Sequence, residues 1–233
     1  MIMGFFSPLE DSSEIYSLLK SAGIKKVHEL SRCATYEEYM ELSRANFSLV
    51  LNPEARYAAQ NMQEKLGIPF IELNRFYRLD KIRNQYRLLG KIIGYDFSDS
   101  EYYDMVYDQI QSFKNAHNGI SFAVGECVNA DSFELSLALT QYGFKVREIY
   151  GTVGERNFVY IKKLSELSPD TRIYSNLSPT MMNYKSRGDI DAYIGDDAAY
   201  YHQDISGTMF NDEKQPYGYN AVSLLFERLS EVL

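Results

Sequence analysis

The sequence predicts an α/β protein: two Rossmann-like domains, each a parallel sheet flanked by helices, joined by a long helix. Two observations carry this. Short apolar runs alternate with longer segments of helical periodicity along the whole chain. Gly or Pro punctuates the ends of several of those periodic segments. Strands that alternate with helices imply parallel sheets with right-handed crossovers.

The elements follow in order. Ile2–Phe6 is a buried strand. Asp11–Ala22 is a helix with Ile15, Leu18 and Leu19 on one face; Asp11, Ser12 and Ser13 offer caps, and Gly23 suits its end. Lys26–Leu30 reads as a short strand. Thr35 with Glu38 forms a capping box for the next helix. Phe47–Leu51 is a strand, Pro53–Leu66 a helix with Pro in its first turn, and Gly67 with Pro69 stops it. Phe70–Leu73 is a strand and Arg78–Ile93 a helix. Ser98 opens a longer helix, with Glu101 completing a second box and Tyr102, Val106, Ile110 and Phe113 as its apolar stripe. Asn118 and Gly119 end it.

The alternation then resumes. Ser121–Gly125, Lys145–Gly151, Arg172–Ser175 and Ala192–Gly195 read as strands, with Ile205–Phe210 as a fifth. Ala130–Tyr142 (ended by Gly143), Phe158–Leu167 and Thr180–Ser186 read as helices. A loop or short helix runs to His202. Asn220–Val232 closes the chain, with Ala221, Leu224, Leu225 and Leu229 facing inward. The predicted domains are residues 1–97 and 119–233, the second including the closing helix, with 98–118 as the bridge.

Composition narrows the class. The chain has 233 residues, enough for one large or two modest domains; 45% are hydrophobic and 24% charged, as in ordinary globular proteins. A net charge of −8 argues against nucleic acid or an anionic membrane as partner. No apolar run is long enough to span a membrane, and Met1–Phe6 lacks the basic flank of a signal peptide, so a cytoplasmic location is expected. Cys33 and Cys127 sit in no ligand-pair spacing, so no zinc site or disulfide framework is read. The 20 tyrosines read as an amphipathic core rim.

In open parallel sheets, ligands lie at the carboxyl ends of the strands. The loops there place Ser7, Asn52, Arg75, Arg78, Glu126, Cys127 and Asp196 as candidate ligand-binding residues of an interdomain cleft. Arg75 and Arg78, interleaved with Phe76 and Tyr77, suit an anionic ligand, against the plainer reading of solvated loop arginines. A thiol before a helix, Cys127, suits a lowered pKa, against a small turn residue. Cys33 follows Arg32, which would act the same way. Asp196 and Asp197 suit a cation or acid–base work, against a helix cap and a first-turn acid. His202 is a metal-ligand or proton-carrier candidate without a nearby His or Cys. His28 and His117 read as structural. No GxGxxG follows a strand and no GxxxxGK[ST] occurs, so NAD-type and P-loop binding are unsupported. No catalytic residue is assigned.

Several segments resemble a known family. They are Ala45-Asn46-Phe47-Ser48-Leu49-Val50-Leu51, the helix with Ala58-Ala59, and Gly67-Ile68-Pro69-Phe70. Further along come Phe122-Ala123-Val124-Gly125-Glu126, then Leu137-Ala138-Leu139 with Tyr142-Gly143-Phe144. Last are Asp191-Ala192-Tyr193-Ile194-Gly195 and Pro216-Tyr217-Gly218-Tyr219-Asn220-Ala221. In this order and spacing they are similar to nitrogenase component 1-type proteins: the molybdenum–iron protein chains, their cofactor-assembly scaffolds and light-independent protochlorophyllide reductase subunits.

The resemblance implies three Rossmann-like domains, of which this chain is similar to the second and third. It implies an iron–sulfur or related metallocluster in the complete assembly, none bound by this chain alone. It also implies an ATP-driven iron-protein electron donor and pairing with a paralogous or identical subunit. The strand end that carries a cofactor thiol in the nitrogenase alpha chain corresponds to Leu51. The stretch Gly207–Pro216, comparable to that of a second ligand, has no His. A thioether-free, apolar Leu cannot ligate iron. The expectation is therefore an oxidoreductase component or fragment that does not reduce dinitrogen. The alternatives are a non-enzymatic scaffold for a metallocluster or tetrapyrrole precursor and, third, a sugar-nucleotide-binding enzyme of two domains.

Overall fold

The computed structural model describes residues 1–185 and 189–233. The chain divides into two compact units. The first holds Met1–Arg75, Leu79–Tyr103 and Glu213–Asn220; the second holds Phe76–Arg78, Asp104–Asp212 and Ala221–Leu233.

The first unit is built on a three-stranded parallel sheet: β1 (Ile2–Met3), β2 (Ser48–Val50) and β3 (Phe70–Glu72), in that spatial order. Helix α1 (Glu14–Ser21) buries Ile15, Leu18 and Leu19 as its periodicity predicts. Helix α2 (Tyr36–Glu41) begins at Thr35, where both arms of the capping box form. A 3-10 turn at Pro53–Ala55 leads into α3 (Arg56–Leu66), which Gly67 ends at φ 70°. Such a left-handed residue closes a helix without a Cβ clash. Helix α4 (Leu79–Ile93) buries Leu79, Ile82, Tyr86 and Leu89.

One strand expectation fails here. Residues 26–30 make a single bridge, Glu29 to Ile2, with Ile2 N donating to His28 O at 2.7 Å, and then turn into a 3-10 segment at Leu30–Arg32. The reason is side-chain chemistry. The buried Glu29 carboxylate accepts from Leu9 N, the Tyr16 hydroxyl, the Ser31 hydroxyl and Arg32 Nε. That local knot bends the chain away from a ladder. A cavity of about 300 Å³, lined by Ile2, Ile24, Val27, His28, Phe47 and Leu49 among others, lies where the segment parts from the sheet.

Helix α5 (Ser100–Ala116) starts two residues later than expected and buries Val106, Ile110 and Phe113. The boundary between the units falls within it, after Tyr103.

The second unit is built on a five-stranded, all-parallel sheet. Its strands are β4 (Ser121–Val124), β5 (Lys145–Tyr150), β6 (Arg172–Tyr174), β7 (Ala192–Ile194) and β8 (Ser206–Thr208), in the spatial order β6-β5-β4-β7-β8. Helix α6 (Ser132–Tyr142) is capped by the Asp131 carboxylate on Phe133 N and Glu134 N and ended by Gly143. Helix α7 (Phe158–Leu167) follows β5. Pro179–Asn183 is a 3-10 turn rather than a helix, and Ser186 of the predicted span lies outside the described residues. Helix α8 (Asp196–Tyr201) follows β7. Helix α9 (Gly218–Val232) closes the chain; Ala221, Leu225 and Leu229 are buried, as are Val222 and Phe226, while Leu224 is half-buried.

Candidate functional site

The second sheet reverses its strand order at β4. From β4 the chain steps outward to β5 and β6, then returns to the other side for β7 and β8. The carboxyl ends of β4 and β7 therefore diverge into loops on either side of a topological switch point, where open α/β sheets hold their ligands. Those two loops are Gly125-Glu126-Cys127 and Gly195-Asp196-Asp197.

Asp197 ties the two together. Its Oδ2 accepts from Glu126 N at 2.9 Å and its Oδ1 from Cys127 N at 3.1 Å. Asp196 N donates to Cys127 O at 3.1 Å. This crossing requires a bare backbone: a Cβ on Gly125 would lie 1.9 Å from Asp197 Oδ1. Gly195, at φ 108°, is the N-cap of α8. Asp196 and Asp197 thus both occupy the first helical turn, where negative charge suits the helix dipole; the expected cap role of Asp196 falls to Gly195.

The neighbouring strand ends complete the ring. Asn176, after β6, donates to Asp197 Oδ2 at 2.7 Å and to Glu126 Oε1 at 3.0 Å. Thr152, after β5, donates its N–H to Glu126 Oε2 at 2.7 Å. Asn211, after β8, donates to Asp196 Oδ2 at 2.7 Å. The residue before it, Phe210, is buried with φ 44°, a left-handed conformation strained for an aromatic side chain. Loops from all five strands therefore converge on three carboxylates. Among the described residues none of the three is in an ion pair. Such a rim accepts hydrogen bonds from hydroxyl or ammonium groups.

Cys127 is exposed at this rim, but its thiol is pushed up: burial acts first, then Asp197, Glu126 and Asp196. The expectation of a lowered thiol pKa is thus corrected, because burial and then the carboxylates raise it. The Cys33 thiol is also raised, by burial and by Glu38, and its Sγ donates to Glu29 O at 3.7 Å.

Arg78 is not a solvated loop arginine: it is buried within the second unit, its Nε 2.9 Å from Glu134 Oε1. Tyr77 N donates to the other Glu134 oxygen at 2.8 Å. Ser7, Asn52 and Arg75 belong to the first unit. Ser7 is half-buried. Asn52 caps the turn after β2, its Oδ1 accepting from Glu54 N. Arg75 lies over the Phe5 ring, 4.0 Å to the centroid, and donates to Gln215 Oε1 at 2.7 Å.

Sequence reasoning missed one centre. Glu148, on β5, is fully buried and collects hydrogen bonds from Tyr150 (2.6 Å), His202 (3.1 Å), Tyr184 and Arg172 (3.2 Å). Burial pushes its carboxyl up, but the bonds from His202, Tyr150 and Tyr184 outweigh it and hold the pKa down to about 2. A signal existed: Glu148 alternates with Val146 and Tyr150 on one face of the strand.

Among the described residues no group of three or more His, Cys, Asp and Glu is arranged to hold a metal ion. No helix there is long and apolar enough to cross a membrane.

The profile of the family described as nitrogenase component 1 type oxidoreductase matches residues 1–231. The solved structure titled "Nitrogenase Cp1 at pH 6.5" superposes with a TM-score of 0.72 at 16% identity, covering 99% of this chain and 58% of that one. A siderophore periplasmic binding protein from the fuscachelin gene cluster of Thermobifida fusca reaches a TM-score of only 0.37 at 13% identity, covering 92% of each chain. A sequence comparison with functionally characterised proteins finds no match.

Proposed function

The chain belongs to the nitrogenase component 1 type oxidoreductase family, and from that premise we propose that it is the ligand-holding portion of a nitrogenase-like reductase that does not reduce dinitrogen. Its electrons come from an ATP-dependent iron protein, and its partner is a paralogous or identical subunit. It spans 58% of the length of the nitrogenase chain it superposes on, and the clusters are assigned to another part of the complete assembly.

The observation that carries this reading is Leu51. It follows β2 at the position that the resemblance equates with a cofactor thiol, and it is apolar and 1% exposed. Its neighbour Asn52 is occupied in capping a turn. The donor set does not fit a cluster: Cys33 and Cys127 lie in different units, both with raised thiol pKa. The switch-point rim of Glu126, Cys127 and Asp196 is proposed to contact the organic substrate.

The test is anaerobic purification. The chain alone is expected to be colourless, with no iron–sulfur absorbance. Co-expressed with a cysteine-bearing component of the same assembly, it is expected to join a brown complex that an iron protein reduces only with ATP. A brown protein from this chain alone would overturn the assignment of the clusters. A colourless chain that binds a tetrapyrrole or cluster precursor, yet accepts no electrons in the complex, would favour the scaffold role.

A further inference from the structure

The second unit holds a polar centre inside its core, distinct from the rim. Tyr150, the last residue of β5, is fully buried. Its hydroxyl donates to Glu148 Oε2 at 2.6 Å and lies 2.9 Å from His202 Nε2. The carboxylate it touches also takes bonds from Arg172 and Tyr184. Donors on every side keep that carboxylate charged, so it remains a proton acceptor held against a phenol in a low-dielectric core.

The ring of Tyr150 is not isolated. It stacks on Tyr201 with centroids 4.7 Å apart and an interplanar angle of 21°, and on Tyr174 at 5.6 Å and 23°. Tyr201 meets Tyr200 edge-on at 5.2 Å, and Tyr200 is 70% exposed. Adjoining aromatic rings thus run from solvent to a buried phenol that carries its own base.

We propose that Tyr150 is a proton-coupled one-electron site, reached from the surface through Tyr200 and Tyr201. A one-electron oxidant at the surface, of the class of photogenerated tris(bipyridine)ruthenium(III), takes one electron. The Tyr150 O–H bond breaks, the proton moves to Glu148 Oε2, and a neutral tyrosyl radical remains beside a carboxylic acid. A one-electron reductant such as ascorbate returns the electron, and the proton goes back to the phenol oxygen. Oxidation by way of phenolate is disfavoured, because burial and the Glu148 hydrogen bond push the phenol far above its ordinary value.

A second tyrosine–glutamate pair serves as internal comparison. In the first unit, Tyr86 donates to Glu14 at 2.5 Å. Burial raises the Glu14 carboxyl, so it is a poorer resident anion, and the Tyr86 ring meets Tyr219 tilted at 49° with centroids 5.8 Å apart, against the 4.7 Å stack of Tyr150 on Tyr201. The radical is therefore assigned to Tyr150 and not to Tyr86.

The experiment is flash-quench oxidation of the full chain with the ruthenium complex, read by electron paramagnetic resonance. The wild type is expected to give a long-lived neutral tyrosyl signal whose formation slows in D2O. Tyr150→Phe is expected to shorten its lifetime about tenfold or more, whereas Tyr86→Phe leaves it unchanged. Tyr200→Phe is expected to slow its formation. A 3-fluorotyrosine placed at position 150 keeps the hydroxyl and the packing, and should add fluorine hyperfine structure to the signal. A signal with the same lifetime in Tyr150→Phe, or no fluorine coupling in the labelled protein, would overturn the proposal. This outcome is independent of the colour test for the clusters.

Discussion

Glu148 and Glu134 are both fully buried carboxylates of the second unit, each with an arginine partner, yet they shift in opposite directions. Glu148 is held down to about 2 and Glu134 is pushed up to about 7. Desolvation is the largest influence on both. The difference is in the depth of burial, greater at Glu134, in the Asp131 charge beside Glu134, and in the donors. Glu148 gathers two phenols, a histidine and an arginine, whereas Glu134 has Arg78 and one backbone N–H. At Glu134 one ion pair does not repay the burial of the carboxylate, whereas at Glu148 four donors outweigh a shallower burial.

The strongest way to break this contrast is to remove the Glu148 charge. Glu148→Gln leaves Arg172 and the phenols without their anion and is expected to cost about 4 kcal/mol in urea denaturation followed by circular dichroism. A cost below about 1 kcal/mol would mean that the donors do not hold the anion.

Acid titration sharpens the contrast in sign. The folded pKa of Glu148 lies below its unfolded value. Its contribution, roughly 3 kcal/mol, is present above pH 4.5 and lost as pH falls toward 2. Glu134 acts in reverse, because its folded pKa lies above 4.5: stability falls as pH rises from 4.5 through 7. Denaturation midpoints measured across pH should show the acid limb vanish in Glu148→Gln and the neutral limb persist. Retention of the acid limb in that variant would reassign it.

Arg78→Met is expected to cost about 2 kcal/mol at pH 8 and less at pH 6, because a lone Glu134 escapes burial of its charge by taking a proton. An equal cost at both pH values would show that Glu134 stays ionised without its partner. The smallest effect belongs to Tyr184→Phe, which removes one donor from Glu148. Denaturation should show a loss of about 1 kcal/mol, and the acid limb should move upward in pH.

Local features were the legible ones. The Thr35–Glu38 box and the stops at Gly67 and Gly143 appear where the residues require them. Each depends on neighbours within a turn. Lys26–Leu30 was not legible as a non-strand, because its apolar pattern says nothing of the partners that converge on Glu29 from Leu9 and Tyr16. The rim was half legible. Glu126, Cys127, Thr152, Asn176 and Asp196 all follow strands and so fall at carboxyl ends, but nothing in their spacing says that Asn176 and Thr152 bond to the rim carboxylates.

The sequence alone determined the alternation of strands and helices, the glycine stops and the apolar Leu51, because these rest on backbone conformation and side-chain type at single positions. The tertiary structure decided which residues share a site. Glu126 meets Asp197 across 71 positions, Arg78 meets Glu134 across 56 and Glu148 meets His202 across 54. Those meetings follow from strand order at a switch point and from which buried charges find donors, and neither is written in the spacing of a single chain segment.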